Sequence, residues 1–183
     1  MLSKNIVRLT GTKIDLCILR TDPDAIELYT KWQNDEKINM WIGNNASISQ
    51  YAEEEEWANT IQNKTGSCQF TIVEKYTGLM IGICSCGCYD GISAYLGITI
   101  GEHDALGRGY GTEAVKMLVK FCFEEMNAHR VALALVSENE RALKCYKKVG
   151  FVECGHDTEA VYYHGHYCDN IRMEILRSNW NES

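Results

Sequence analysis

No apolar run in the sequence is long enough to cross a bilayer, and Met1-Leu2-Ser3-Lys4-Asn5 lacks the apolar core of a signal peptide. The expectation is a cytoplasmic protein that does not enter a membrane and whose nine cysteines are reduced thiols. Basic residues are scarce: 18 lysines and arginines against 25 acidic residues leave a formal net charge of -7. That balance argues against nucleic acid as a partner and suits a cationic substrate such as an amine. The five histidines are scattered, with no two at the helical spacing of a zinc site, so no metal is expected. No Gly-Lys-Ser/Thr follows a glycine loop, which excludes a Walker phosphate loop. No linker or repeat divides the chain, and residues 1–183 read as one domain able to bury a substantial core.

The stretch around which the rest is arranged is Ala105-Leu106-Gly107-Arg108-Gly109-Tyr110-Gly111-Thr112-Glu113-Ala114. Ala94 to Ile100 before it is rich in β-branched and apolar residues and reads as a strand. After it, Val115, Leu118, Val119, Cys122 and Met126 recur at three- and four-residue spacing, which predicts a helix with one apolar face to about Met126. A strand, a glycine loop and a helix in that order aim backbone N–H groups and a positive helix end at an anion. On glycine spacing alone, a tight connection without a ligand is an equal reading.

Elsewhere, Val7–Leu9 and Ile14–Leu19 flank Thr10-Gly11-Thr12 as a strand, turn and strand. The sole proline, Pro23, follows Thr21-Asp22 and opens a helix from about Asp24 to Gln33. Ile38 to Asn45 is irregular and aromatic, a loop or short helix over a cleft. Ser47 or Ser49 caps the next helix, whose Glu53 to Glu56 form a solvated acidic face. Gln69–Glu74 and Leu79–Tyr89 read as paired strands. In the second, Cys84, Cys86 and Cys88 alternate onto one face; small buried side chains are favoured over a metal or redox site. Arg130 to Val136 lacks alternation and belongs in a sheet covered on both faces. Ser137 to Glu140 has capping-box form, with Asn139 as another cap, and Gly150 suits a helix C-terminus. Phe151 to Cys154 and Tyr167 to Leu176 are the last strands. The class is mixed α/β.

Four pieces in this order resemble the GNAT superfamily of acyl-coenzyme A-dependent N-acetyltransferases. They are Ile98 to Ala114, Ser137 to Ala142, Cys145-Tyr146-Lys147-Lys148-Val149-Gly150-Phe151, and Tyr163 to Met173. The last resembles the branch holding ribosomal-protein N-terminal and spermidine acetyltransferases. The resemblance implies a central mixed sheet of about seven strands, splayed between the fourth and fifth, with about four helices. It implies acetyl-CoA as acyl donor and a primary amine, small or at a peptide terminus, as acceptor; it allows a homodimer.

It also implies roles. Ile98, Thr99 and Ile100 would expose backbone to pantetheine. Leu106, Gly107, Arg108, Gly109, Tyr110, Gly111 and Thr112 would present N–H groups to the pyrophosphate, and Asn139 and Ala142 would meet the cofactor at the next helix. Tyr146 would protonate the thiolate expelled by direct attack of the amine. Where many relatives carry a glutamate that aids amine deprotonation, this chain has Tyr95, so a non-catalytic acyl-CoA sensor stands as the alternative. Trp32, Trp41, Tyr51, Trp57 and Tyr162 to Tyr167 are candidates for the acceptor pocket, though core packing suits most of them better.

Overall fold

The core forms where an alternating sheet face meets the apolar stripe of a helix. In the computed structural model, which describes residues 4–42, 48–88, 90–163 and 165–180, eight strands make one sheet in the order β1-β2-β3-β4-β5-β6-β8-β7. They are β1 (Val7–Thr10), β2 (Ile14–Ile18), β3 (Ser67–Glu74), β4 (Met80–Cys88), β5 (Ser93–Ile100), β6 (Arg130–Val136), β7 (Val152–Tyr163) and β8 (His166–Leu176). The helices are α1 (Pro23–Asn34), α2 (Glu36–Asn39), α3 (Tyr51–Ile61), α4 (Tyr110–Glu124) and α5 (Glu140–Val149).

The sheet is one strand larger than the expected seven, because both strands of the N-terminal hairpin join it through β3. The splay therefore falls between the fifth and sixth strands. All neighbours are antiparallel except β5 and β6, which run parallel and pair only at Ser93–Arg130, Ala94–Val131 and Tyr95–Ala132. Beyond Tyr95 they part. Leu96–Ile100 keep their partners on β4, while Leu133–Val136 keep theirs on β8. The two inner edges are left facing one another without strand pairing, and between them lies a cleft.

Two packed layers hold this frame. Val115, Leu118, Val119 and Cys122 of α4 are fully buried against Ile14, Leu16, Phe70 and Ile72. Each such side chain contributes at most about 1.5–3 kcal/mol through burial. Leu19 and Met80 pack with Ala25, Ile26, Tyr29 and Trp32 of α1 and Ala58 of α3. Tyr29 meets Trp57 edge-on, with centroids 5.8 Å apart. Strand β6 is covered on both sides except at Ala134, which opens into the cleft.

Several boundaries differ from expectation, each for a local reason. Helix α4 ends at Glu124, short of Met126, and the chain turns at Asn127 in a left-handed conformation. Of the two serines expected to cap helix α3, Ser47 lies outside the described residues and Ser49 is not the cap. Gln50 occupies that position, its N–H donating to the Glu53 carboxylate at 2.9 Å, while Ser49 Oγ donates to the buried Glu54 at 2.5 Å. At α5, Asn139 and not Ser137 is the cap: its Oδ1 accepts the Ala142 N–H at 3.1 Å. Strand β7 runs on to Tyr163, far beyond Cys154, because β8 pairs with it along its length through two irregularities.

Candidate active site

The cleft between the splayed strands has a volume of about 810 Å³. Its walls are Leu96–Ile100 of β5, Ala134–Val136 of β6, the glycine loop, and one side of α5. Twelve of the thirteen residues assigned from the sequence line it: Ile98, Thr99, Ile100, Leu106, Gly107, Gly109, Tyr110, Gly111, Thr112, Asn139, Ala142 and Tyr146. The exception is Arg108. Its guanidinium pairs with Glu74 at 3.4 Å and lies over the Tyr110 ring, 5.1 Å from the centroid.

The loop is an anion cradle by geometry. Gly107 and Gly109 have φ of +75° and +87°, conformations that a side chain resists, and the helix starts at Tyr110 directly after. Among the described residues, the N–H groups of Gly107 through Thr112 meet no protein acceptor. Leu106 does not share this role: its N–H donates to the His103 carbonyl at 3.0 Å. The row of free donors therefore begins one residue later than the sequence suggested. Converging N–H groups at the positive end of a fifteen-residue helix fit a pyrophosphate.

The loop is held from behind by contacts that sequence reading missed. Glu74, at the end of β3, accepts from the Tyr110 hydroxyl and from Thr77 Oγ1 at 2.6 Å. The Thr77 and Tyr110 bonds, aided by Arg108, hold its carboxyl below the usual carboxylate range. Glu113, in the first turn of α4, accepts the N–H groups of Thr12 and Lys13 from the β1–β2 turn. Lys13 Nζ in turn donates to the Arg108 carbonyl at 3.1 Å. Three separated segments thus set one loop.

On α5, Asn139 spends its carbonyl oxygen on the helix cap, which leaves its Nδ2 amide without a protein acceptor among the described residues. Tyr146 packs edge-on to Phe151, with centroids 5.9 Å apart, and its hydroxyl has no hydrogen-bond partner among the described residues. Burial first, and then Cys145, pushes that hydroxyl well above the usual tyrosine range. Arg141, Lys144 and Lys148 also reach the cleft wall, a basic stripe at three- and four-residue spacing that the sequence carried unremarked.

Other candidates lie elsewhere. Tyr95 is half-exposed at the paired end of β5, in register with Ala132 of β6 and outside the cleft. Glu102 binds Lys31 at 2.8 Å and the Trp32 indole at 2.9 Å, while His103 meets Asp35 at 2.6 Å. Of the proposed acceptor aromatics, only Trp41 lines the cleft; Tyr163 backs it at 5.1 Å. Trp32 and Trp57 pack with Tyr29, Tyr51 is exposed, and the exposed Tyr162 and Tyr167 meet edge-on. His164 lies outside the described residues. All nine cysteines are free; burial pushes the Cys84 thiol up, as it does an inert core cysteine. Among the described residues, no group of three or more His, Cys, Asp or Glu side chains is placed to hold a metal. Among them also, no helix is long and apolar enough to cross a membrane.

Similarity to known proteins agrees with this geometry. The chain is 34% identical over 79 residues to the spermidine N(1)-acetyltransferase of Vibrio cholerae, a match spanning 43% of this chain but only 44% of that protein. It is 25% identical over 155 residues to the N-acetyltransferase-like YdaF of Bacillus subtilis, across 81% of this chain and 82% of that one. The crystal structure of the Vibrio cholerae spermidine N-acetyltransferase with CoA and spermine superimposes with a TM-score of 0.82 at 24% identity, covering 92% of this chain and 98% of that chain. Mycobacterium smegmatis RimJ with CoA-disulfide gives 0.79 at 17% identity, over 97% and 88%. The family described as acetyltransferase (GNAT) domain matches residues 15–152, and the chain belongs to that family.

Proposed function

We propose that the protein is an acetyl-CoA-dependent N-acetyltransferase that acts on a primary amine by direct attack. The observation that carries this reading is the row of six unpartnered N–H groups, Gly107 to Thr112, at one end of a cleft opened between two parallel strands. These donors would hold the pyrophosphate, with Arg141, Lys144 and Lys148 adding positive charge beside it. The unpaired inner edge of Leu96–Ile100 would hydrogen-bond the pantetheine arm, and the Asn139 amide would anchor it near α5. When bound, the thioester supplies an electrophilic carbonyl and a thiolate leaving group. Tyr146, kept protonated by burial, would give that thiolate its proton.

The fit supports this assignment: the cleft's free donors, open strand edge and basic stripe match an anionic head and an amide-bearing arm. The cleft wall offers the amine no free carboxylate, since Glu140, its one acidic lining residue among those described, pairs with Lys144 at 2.9 Å. The acceptor would therefore arrive neutral or lose its proton to solvent. The same feature, with Tyr95 outside the cleft, motivates the second reading of an acyl-CoA sensor without turnover. Acetyl-CoA should raise the melting temperature, and an added primary amine should release free thiol from it. Absence of any thermal shift with acetyl-CoA would sink the proposal; a shift without thiol release across many amines would favour the sensor.

A further inference from the structure

We infer that Glu54 and Gln33 build a small pocket beside the cleft that takes the acceptor's reacting amine as its ammonium; this rests on the acetyltransferase reading above. A second cavity, of about 10 Å³, adjoins the cleft and shares Ile42 and Thr99 with it. Such a volume holds about one water molecule or one ammonium head, and no carbon chain. The body of an acceptor whose amine end enters must therefore stay in the cleft. Thr99 sets the junction on the unpaired β5 edge proposed for the pantetheine arm, so an amine held here stands beside the acyl donor's path.

The polar lining of this cavity is made of hydrogen-bond acceptors. Of the acidic run Glu53 to Glu56, Glu54 alone is buried, at 8% exposure. Its carboxylate receives Ser49 Oγ at 2.5 Å and, among the described residues, forms no ion pair. Residues 43–47 carry no basic side chain to supply one. Gln33 Oε1, reaching in from α1, is buried with no hydrogen-bond partner among the described residues. A buried carboxylate calls for a counter-charge, and a buried carbonyl oxygen left unbonded costs stability.

The two rings of the lining have their polar hydrogens engaged elsewhere. Tyr29 donates its hydroxyl to the Arg20 carbonyl at 3.0 Å, and Trp32 Nε1 donates to Glu102 at 2.9 Å. What they leave to the cavity is aromatic surface, which attracts a cation over its face. An ammonium head brings three N–H donors and a positive charge, enough for both acceptors at once. A hydroxyl or thiol head brings one donor and no charge. Glu54 thereby supplies, one cavity away, the carboxylate that the cleft wall lacks. The pocket binds the charged amine, whose proton then leaves to solvent before attack.

The test uses the full chain saturated with CoA. Methylammonium chloride should change tryptophan fluorescence saturably where equal sodium chloride does not, since Trp32 lines the cavity. Glu54→Gln keeps the shape and an acceptor for Ser49, and should weaken that binding by about tenfold or more, with Glu54→Asp recovering part of it. Thiol release is then followed with whichever of n-butylamine, spermidine and a peptide amide turns over fastest. Both Glu54→Gln and Gln33→Met should raise the KM of that amine while kcat and the KM for acetyl-CoA change little. Gln33→Met decides the matter if Glu54→Gln fails to fold. It removes an oxygen without a described partner, so the melting temperature should hold or rise while amine binding weakens. Methylammonium binding that is absent from a chain able to bind CoA, or unchanged in both variants, overturns the inference and leaves the acetyltransferase reading standing. An equal rise in the KM for acetyl-CoA overturns it too, since that marks a structural role. Failure to bind CoA or acetyl-CoA overturns the parent reading itself.

Discussion

A phenol is a weak acid in water and a weaker one when its anion must be desolvated. Tyr146 is in that position: set into the cleft wall beside Phe151, with its hydroxyl raised above the usual range by burial. The sign matters. A raised phenol stays protonated through the neutral range, so it can donate to a departing thiolate but cannot serve there as a base. Tyr146→Phe keeps the ring packing and removes only the proton. The expected result is a fall in kcat of about 10²-fold or more with acetyl-CoA binding and melting temperature close to the parent. A variant as fast as the parent would remove Tyr146 from the chemistry. In the sequence this residue shares a helical face with Ala142 and Val149, which alone reads as core. Only its place among the resembling pieces singled it out, and the structure puts it on the cleft with a hydroxyl that meets no partner among the described residues.

At the scale of the element, the loop from Gly107 to Thr112 sets three similar glycines in two kinds of position. Gly107 and Gly109 are left-handed; an added Cβ at Gly107 would meet nothing within 4 Å, and at Gly109 only Lys13 Nζ at 3.5 Å. Substitution there costs through conformation and not through crowding, about 1–2 kcal/mol for an L-residue held at such φ. Gly111 lies in the first turn of α4, where an added Cβ would touch only Ile100 Cγ1 at 3.7 Å. Gly107→Ala and Gly109→Ala should therefore lower the melting temperature and weaken acetyl-CoA binding. Gly111→Ala should hold or raise stability, since alanine is the better helix former by up to about 1 kcal/mol. Thermal unfolding of the three variants checks the contrast, and equal losses at all three would refute it. The sequence displayed the strand, loop and helix clearly, because glycine spacing and a 3.6-residue stripe are local signals. It did not display which N–H groups are free. That depends on a turn at His103 that claims Leu106, on Glu74 reaching Tyr110 from β3, and on Glu113 tying the first turn of α4 to the β1–β2 turn. Such contacts join residues far apart in the chain and leave no periodic trace.

For the whole molecule, the consequence of the splay is a sheet made in two parts over one continuous core. Strands β1 to β5 form one antiparallel run and β6 to β8 another, and three parallel residue pairs are the ladder between them. The strands were legible from their apolar and β-branched composition, and so was the burial of β6 from its lack of alternation, but the place where two strands stop pairing was not. Leu96–Ile100 and Leu133–Val136 look no different from strands that pair throughout; the splay entered through the resemblance alone. Its physical consequence is testable. Backbone groups on the two facing edges have no strand partner, so their amides should exchange faster than those of Ser93–Tyr95 and Arg130–Ala132. A ligand that hydrogen-bonds the β5 edge while its anionic head sits on Gly107–Thr112 would bridge both halves through α4 and α5. At a concentration 100-fold above its dissociation constant it would stabilise the fold by about 2.7 kcal/mol. Hydrogen exchange with saturating acetyl-CoA should then show protection concentrated in 96–100 and 107–112, with β1 to β3 changed little. Protection spread evenly over the sheet, or confined to the outer strands, would mean that the donor does not lie between β5 and β6.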